Sequence, residues 1–120
     1  MKSGNYIKIK TKDAKEFSGF LCLPPAGKGP GLLLIQEIFG VNSHIRDVAD
    51  LYAAEGFVVL APDLFWRIEP GLEIGYGTLD VAKGLYLYGR LNMNQALSDL
   101  SDAIDIIHAL PSVTGPAGLP

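Results

Sequence analysis

The sequence predicts an α/β domain in which a β-hairpin precedes a strand–helix–strand unit. Three features lead to this prediction: an alternating segment at residues 6–11, an apolar strand at residues 32–35, and an apolar helical stripe before residues 57–61. A strand, a helix and a strand within about 30 residues form a crossover, and its two strands are parallel. At 120 residues, one domain with one core is expected.

The first two strands are predicted by alternation. Ile7 and Ile9 lie on one face of residues 6–11 and two lysines lie on the other, which is typical of a half-buried strand. Polar residues 12–15 form a turn, and residues 17–23 are the expected antiparallel partner. A Pro- and Gly-rich run then separates this hairpin from the crossover.

The crossover helix has recognisable start and stop signals. Asn42 or Ser43 can cap its first turn, and Gly56 stands where a left-handed C-terminal cap is wanted. Five apolar residues between these signals form one stripe: Ile45, Val48, Ala49, Tyr52 and Ala53. The flanking segments at residues 32–35 and 57–61 are apolar on both faces, which suits parallel strands covered by helices on two sides.

Residues 63–91 are interrupted by glycine and proline. We expect a lid-like loop region here, with at most a short helix near residues 79–88. The final helix is predicted to begin near Asn92 or Asn94 and to end at Pro111. Its expected apolar stripe consists of Met93, Leu97, Leu100, Ile104, Ile107 and Leu110, and its expected solvent face carries Asp99, Asp102 and Asp105.

Composition excludes several functional classes. Ten basic and 13 acidic residues give a net charge of −3, and no Lys/Arg cluster suggests a nucleic-acid or membrane-surface partner. The longest apolar runs are far shorter than the roughly 20 residues of a membrane span. Cys22 is the single cysteine, so no internal disulfide is expected. We predict a cytoplasmic protein without nucleic-acid or membrane partners.

Two carboxylates follow the predicted parallel strands. Glu37 and Asp63 stand at the carboxyl ends of these strands, where open α/β sheets place their sites, and partial burial of both is expected. The structural alternative is that each caps a loop or pairs with Arg46 or Arg67. The chain has no Gly-x-Ser-x-Gly turn, and Cys22 is expected to be a buried apolar side chain.

Three segments carry a family resemblance. Residues 36–42 (QEIFGVN), 44–50 (HIRDVAD) and 52–65 (YAAEGFVVLAPDLF) resemble the dienelactone hydrolase family. This resemblance implies that residues 1–120 are the N-terminal part of a single α/β-hydrolase domain. It also implies an ester or lactone substrate, no cofactor or metal, and a Cys-His-Asp triad. The family's cysteine lies in a Gly-x-Cys-x-Gly-Gly elbow, on the strand after the helix that ends here at Leu110.

The resemblance also implies roles for individual residues. Glu37 matches the family glutamate that contacts the resting cysteine and helps to control thiolate formation. The backbone N–H of Ile38 matches a donor of the oxyanion hole. We expect Phe39, Phe65 and Trp66 to line the substrate pocket, although Phe65 and Trp66 could equally anchor their loop in the core.

The elbow and all three triad residues are expected beyond residue 120, so the chain is expected to be inactive alone. An alternative is a non-catalytic module that self-associates through the exposed edge of strand 32–35. A third alternative is a metal or nucleotide binder that uses Glu37 and Asp63.

Overall fold

The computed structural model describes residues 4–114, which form a mixed sheet with helices on both faces. The strands are β1 (Asn5–Lys10), β2 (Glu16–Cys22), β3 (Gly31–Leu33) and β4 (Val58–Pro62). The helices are α1 (Ser43–Ala54), α2 (Thr78–Arg90) and α3 (Met93–Ala109). The order of strands across the sheet is β1-β2-β4-β3.

The predicted hairpin and crossover are both confirmed. β1 pairs antiparallel with β2, β2 pairs antiparallel with β4, and β3 runs parallel to β4. β3 is shorter than the predicted strand at residues 32–35. The Leu34 N–H still donates to the Leu60 carbonyl at 2.9 Å, but Ile35 lies outside the strand and is 40% exposed.

α1 has the predicted ends and the predicted apolar face. The Asn42 side chain accepts a hydrogen bond from the Ile45 N–H at 3.1 Å and caps the helix. Ile45, Ala49 and Ala53 are buried on the face toward the sheet. Gly56 follows with φ of +109°, a left-handed conformation that glycine adopts without strain.

Alternate strand residues point into two cores. The core under α1 contains Leu32, Leu34 and Val59, and the core under α3 contains Leu33 and Leu60. This alternation places α1 and α3 on opposite faces of the sheet. β3 and β4 are therefore covered on both sides, which explains why their sequences are apolar throughout.

The segment at residues 63–91 contains more helix than its sequence predicted. The structure forms α2 over 13 residues, and only Gly84 and Leu87 of this helix are buried. A helix with so small a buried face has a weak apolar period, and its glycines obscured the period further. The loop part of the segment is limited to residues 63–77.

The predicted faces of α3 are wrong in part. Asp99 and Asp102 are buried, whereas Met93, Leu97 and Ile104 remain exposed; Asp105 is exposed as predicted. The two buried aspartates bind groups from distant segments, which the helical period does not reveal.

After α3 the chain turns back toward the sheet. Val113 forms a parallel bridge with Gly29, supported by hydrogen bonds from Gly29 N–H to Ser112 and from Thr114 N–H to Gly29, each 2.9 Å. The strand that the resemblance places after this helix is expected beyond residue 120, and residues 115–120 lie outside the described residues. Within residues 4–114, no helix has the length and apolarity needed to cross a membrane.

Candidate functional site

A groove of about 240 Å³ opens beyond the carboxyl end of β3. Its first wall is residues 35–38, and its second is Leu64 and Phe65 from the loop after β4. The third wall comes from the α2–α3 corner and from α3. It consists of Tyr88, Leu91, Met93, Ala96, Leu97 and Leu100. The groove therefore lies where open α/β sheets carry their sites.

Two polar groups stand together on the first wall. Glu37 is exposed, and within residues 4–114 its carboxylate has no hydrogen-bond or salt-bridge partner. The expected partial burial of Glu37 is therefore wrong. Glu37 carries the only formal charge among the lining residues. Next to it, the Ile38 N–H donates to no acceptor in the described part of the chain. An unpaired carboxylate and an unpaired amide donor thus belong to adjacent residues of this wall.

Gly84 of α2 allows the helix to approach the first wall closely. A Cβ atom at Gly84 would lie 2.6 Å from the Ile38 carbonyl oxygen and 3.1 Å from Ile38 Cγ1. Any larger residue would push α2 away from Ile38 or displace the backbone there. In the sequence Gly84 only interrupts a helical pattern, and no local signal indicates that it lies against Ile38.

The three predicted aromatic residues lie in different places. Phe65 is buried and lines the groove. Phe39 packs edge-on against Tyr76, with the two ring centroids 4.5 Å apart, and is not among the lining residues. Trp66 is also absent from the lining. Its ring stacks on that of Phe17, with centroids 5.1 Å apart, in the core under α3. The structure thus brings Glu37, Ile38 and Phe65 together and places Phe39 and Trp66 elsewhere.

Hydrogen bonds connect the walls of the groove. The Gln36 side-chain oxygen accepts from the Leu64 N–H at 2.9 Å and joins the first wall to the second. Asp99 Oδ2 accepts from Trp66 Nε1 at 2.9 Å and from Arg67 Nε at 3.1 Å, and Asp99 Oδ1 accepts from Arg67 Nη2 at 3.0 Å. These hydrogen bonds with Asp99 raise the pKa of Arg67 above its ordinary value. Neither set of hydrogen bonds was predicted from the sequence, because the partners lie 28 to 33 positions apart.

Asp63 lies in a different environment from Glu37. Its carboxylate is buried and accepts from the Phe65 N–H at 3.2 Å and the Gly71 N–H at 2.8 Å. Burial raises the pKa of Asp63 above its ordinary value, and the two backbone donors oppose this shift. Asp63 lines a separate cavity of about 260 Å³ with Tyr6 and Phe20, and therefore caps a loop rather than joining Glu37 in one site.

Arg46 and Arg67 bind other acidic side chains than these two carboxylates. Arg67 binds Asp99, and Arg46 binds Glu73 at 3.1 Å, so neither arginine pairs with Glu37 or Asp63. Residues 4–114 contain no group of three or more His, Cys, Asp or Glu side chains placed to hold a metal ion.

Cys22 is fully buried, as its sequence context predicted. Its thiol donates to Asp50 Oδ1 at 3.5 Å in the core region under α1. Burial, with a smaller contribution from Asp50, raises the pKa of Cys22 to about 12. The thiol is consequently protonated at neutral pH and is on the opposite face of the sheet from α3 and the groove.

Comparison with known proteins matches the described segment to one family. The family model of the dienelactone hydrolases matches residues 17–116. A Synechocystis relative is 42% identical over 99 residues, which are 82% of this chain and 40% of that protein. The carboxymethylenebutenolidase of a Pseudomonas species is 34% identical over 110 residues, 91% of this chain and 46% of that protein.

Solved structures agree on the fold. A Klebsiella pneumoniae protein described as a dienelactone hydrolase superposes with a TM-score of 0.78 and 23% identity, covering 97% of this chain and 48% of that one. A dienelactone-hydrolase-like phosphotriesterase from metagenomic libraries gives a TM-score of 0.68 at 22% identity, over 98% and 48% of the two chains. The chain thus spans less than half the length of these relatives. With its family match and its α/β-hydrolase-type sheet, the chain belongs to the dienelactone hydrolase family.

Proposed function

We propose that this chain forms the N-terminal part of an enzyme that hydrolyses carboxylic esters or lactones. The observation that carries the proposal is the pair of unpartnered groups, the Glu37 carboxylate and the Ile38 N–H, at the mouth of an apolar groove. The pair follows a parallel strand of the family fold, at the edge of the sheet where such sites lie.

The Ile38 N–H fits the role of an oxyanion donor. Acyl transfer passes through a tetrahedral intermediate whose oxygen carries a negative charge, and preorganised backbone donors stabilise it by about 2.7–4 kcal/mol each. Gly84 lets α2 pack closely against the Ile38 carbonyl and side chain, so the helix limits movement of this residue before substrate arrives. Because this donor has no acceptor within residues 4–114, no hydrogen bond there has to break when a substrate oxygen binds.

The nucleophile belongs to another part of the enzyme in this proposal. Cys22 is buried and protonated, and both His44 and His108 are exposed on helices. In line with what the family resemblance implies, we assign a Cys-His-Asp triad to polypeptide beyond residue 120. Glu37, exposed at the groove, would contact the resting cysteine and help to control formation of its thiolate.

The groove also limits the substrate. Its walls are apolar apart from Gln36 and the Tyr88 hydroxyl, and its one formal charge is negative. Apolar walls favour an alkyl or aryl group of the ester, and Glu37 disfavours a second carboxylate close by. An uncharged ester is therefore the substrate that this part of the site fits best.

The proposal is tested with 4-nitrophenyl acetate and with the encoding DNA. The 120-residue chain is expected to release nitrophenolate no faster than its heat-denatured control, because the thiol of its single cysteine, Cys22, is buried and protonated. The DNA beyond codon 120 is expected to encode a Gly-x-Cys-x-Gly-Gly elbow in one of its frames. Hydrolysis by the chain alone that is lost in Glu37→Gln, but persists after thiol alkylation, would instead indicate carboxylate chemistry.

A second candidate function is self-association without catalysis. It is favoured by the position of β3, which lies at the edge of the sheet with an exposed Ile35 beside its end. Light scattering over a range of concentrations distinguishes the two. The second candidate predicts dimers or larger species that Ile35→Lys disperses, while a monomer at all concentrations contradicts it.

A further inference from the structure

We propose that Asp99 is a positioning residue that sets the width of the substrate groove. This inference rests on the proposed function, because it takes the groove as the place where the ester binds. Asp99 does not itself line the groove. It acts through the two segments that its carboxylate holds together.

Asp99 is only 1% exposed, and its carboxylate accepts three hydrogen bonds from one loop. Two of them come from the Arg67 guanidinium as a bidentate pair, and the third comes from the Trp66 indole N–H. A bidentate pair with a guanidinium fixes orientation as well as distance, because both partners are planar. The loop after β4 is therefore held to α3 in one arrangement.

The neighbours of these residues form the facing walls. Leu64 and Phe65 directly precede Trp66 and Arg67 in the chain, and they line the second wall. On α3, residues 96, 97 and 100 lie within one turn of Asp99, and they line the third wall. A shift of the loop relative to α3 would thus change the distance between the two walls directly.

The rest of the loop has its own supports. Gln36 holds Leu64 to the first wall, and the Trp66 ring rests on Phe17. Neither of these two contacts involves α3, and Arg67 Nη1 also lies 3.9 Å from Asp13 Oδ2 in the β1–β2 turn. The contact of the loop with α3 apart from Asp99 is apolar, since Trp66 packs in the cluster that contains Ala103 and Ile107. Within residues 4–114, the hydrogen bonds between residues 64–67 and α3 all go to Asp99. Removing the acceptor should therefore loosen the groove while the loop stays attached to the sheet.

The test uses the whole chain and 4-phenylbutan-2-one, a ketone that has the shape of benzyl acetate but no ester bond to cleave. Binding is followed by NMR through the amide signals of residues 36–38, 64–65 and 96–100. In Asp99→Asn, an NH₂ group replaces one acceptor oxygen and faces donors of Trp66 and Arg67. The Kd of the ketone is expected to rise about tenfold.

Two further variants separate positioning from general loss of stability. Asp102→Asn makes the same change at another buried position of α3, whose partner is Lys12 in the β1–β2 turn. Its Kd should stay within about twofold of the wild type. Trp66→Phe keeps an aromatic ring on Phe17 but removes the indole donor, and its Kd should rise about threefold.

Each outcome decides the inference. Equal ketone affinity in folded Asp99→Asn and in the wild type overturns it, and so does an equal loss in Asp102→Asn. If Asp99→Asn does not fold, an unchanged Kd in Trp66→Phe overturns it. Absence of ketone shifts at the groove in the wild type overturns the inference together with the groove as the ester-binding site. Ester hydrolysis by Glu37 chemistry would overturn only the assignment of the nucleophile to polypeptide beyond residue 120.

Discussion

The helices α1 and α3 cover opposite faces of the same sheet, but they bury different chemistry. α1 buries Ile45, Ala49 and Ala53 on a closed apolar core. α3 buries Asp99 and Asp102 among its alanines and Ile107, and leaves Leu97 exposed beside the groove. The first helix follows the usual amphipathic pattern, and the second departs from it on both of its faces.

The difference shows that the face under α1 mainly stabilises the fold, whereas the face under α3 also positions the walls of the groove. On the α1 side, burial mainly removes apolar side chains from water, and the polar contact described there joins the Cys22 thiol to Asp50 Oδ1 of the helix. On the α3 side, buried carboxylates hold a loop and a turn in place, and exposed apolar side chains border the groove. Buried hydrogen bonds and ion pairs require their polar groups to leave water, which costs free energy, but they hold the bonded segments in one geometry.

The largest expected effect concerns Cys22 on the α1 side. Its pKa is raised from an ordinary value of 9.0 to about 12, mainly by burial. The thiolate fraction near pH 8 should thus be about a thousandfold lower than that of an exposed thiol. Alkylation by iodoacetamide, followed by mass spectrometry, should be slowed by at least that factor in the folded chain. The same chain in guanidinium chloride is the control.

The pH dependence of this thiol has a defined sign. Since its folded-state pKa is raised, its contribution to stability is fully present below about pH 9 and is lost as the pH rises toward 12. Rapid alkylation of the folded chain near neutral pH would contradict the description of the α1 side as a closed core.

The next effect compares three aspartates of α3. Asp99→Ala should lower the free energy of unfolding by about 3–5 kcal/mol, because Arg67 loses its buried partner. Asp102→Ala should cost about 1–3 kcal/mol, because the Lys12 N–H loses its acceptor. Asp105→Ala, at an exposed position, should stay within about 0.5 kcal/mol. Urea unfolding followed by circular dichroism measures all three.

The order of these three costs is what matters for the comparison. Equally small losses of unfolding free energy at all three positions would mean that α3 is held mainly by its apolar contacts, as α1 is. A larger loss of unfolding free energy in Asp102→Ala than in Asp99→Ala would mean that the stronger polar contact of α3 is the one with the β1–β2 turn, not the one with the groove loop.

Much of the fold could be predicted from local pattern. The alternation at Ile7 and Ile9, the cap at Asn42 and the stripe around Ala49 gave the hairpin, the crossover and α1. The same reasoning placed Glu37 at the end of β3, where the structure has the mouth of the groove. Periodicity and capping depend on residues within a few positions of one another, so they can be read along the chain.

Other features depended on partners far away in the chain. Asp99 binds a guanidinium 32 positions away, and Asp102 binds an amide 90 positions away. These buried carboxylates therefore obtain their hydrogen-bond partners only when the chain folds. Gly84 breaks a helical pattern in the sequence, yet its missing side chain is what lets α2 reach Ile38. The sequence by itself determined the strands, the first helix and the position of the acidic residue beside β3. Tertiary structure decided which polar groups are buried, because a buried charge is stable only where distant segments supply its partners.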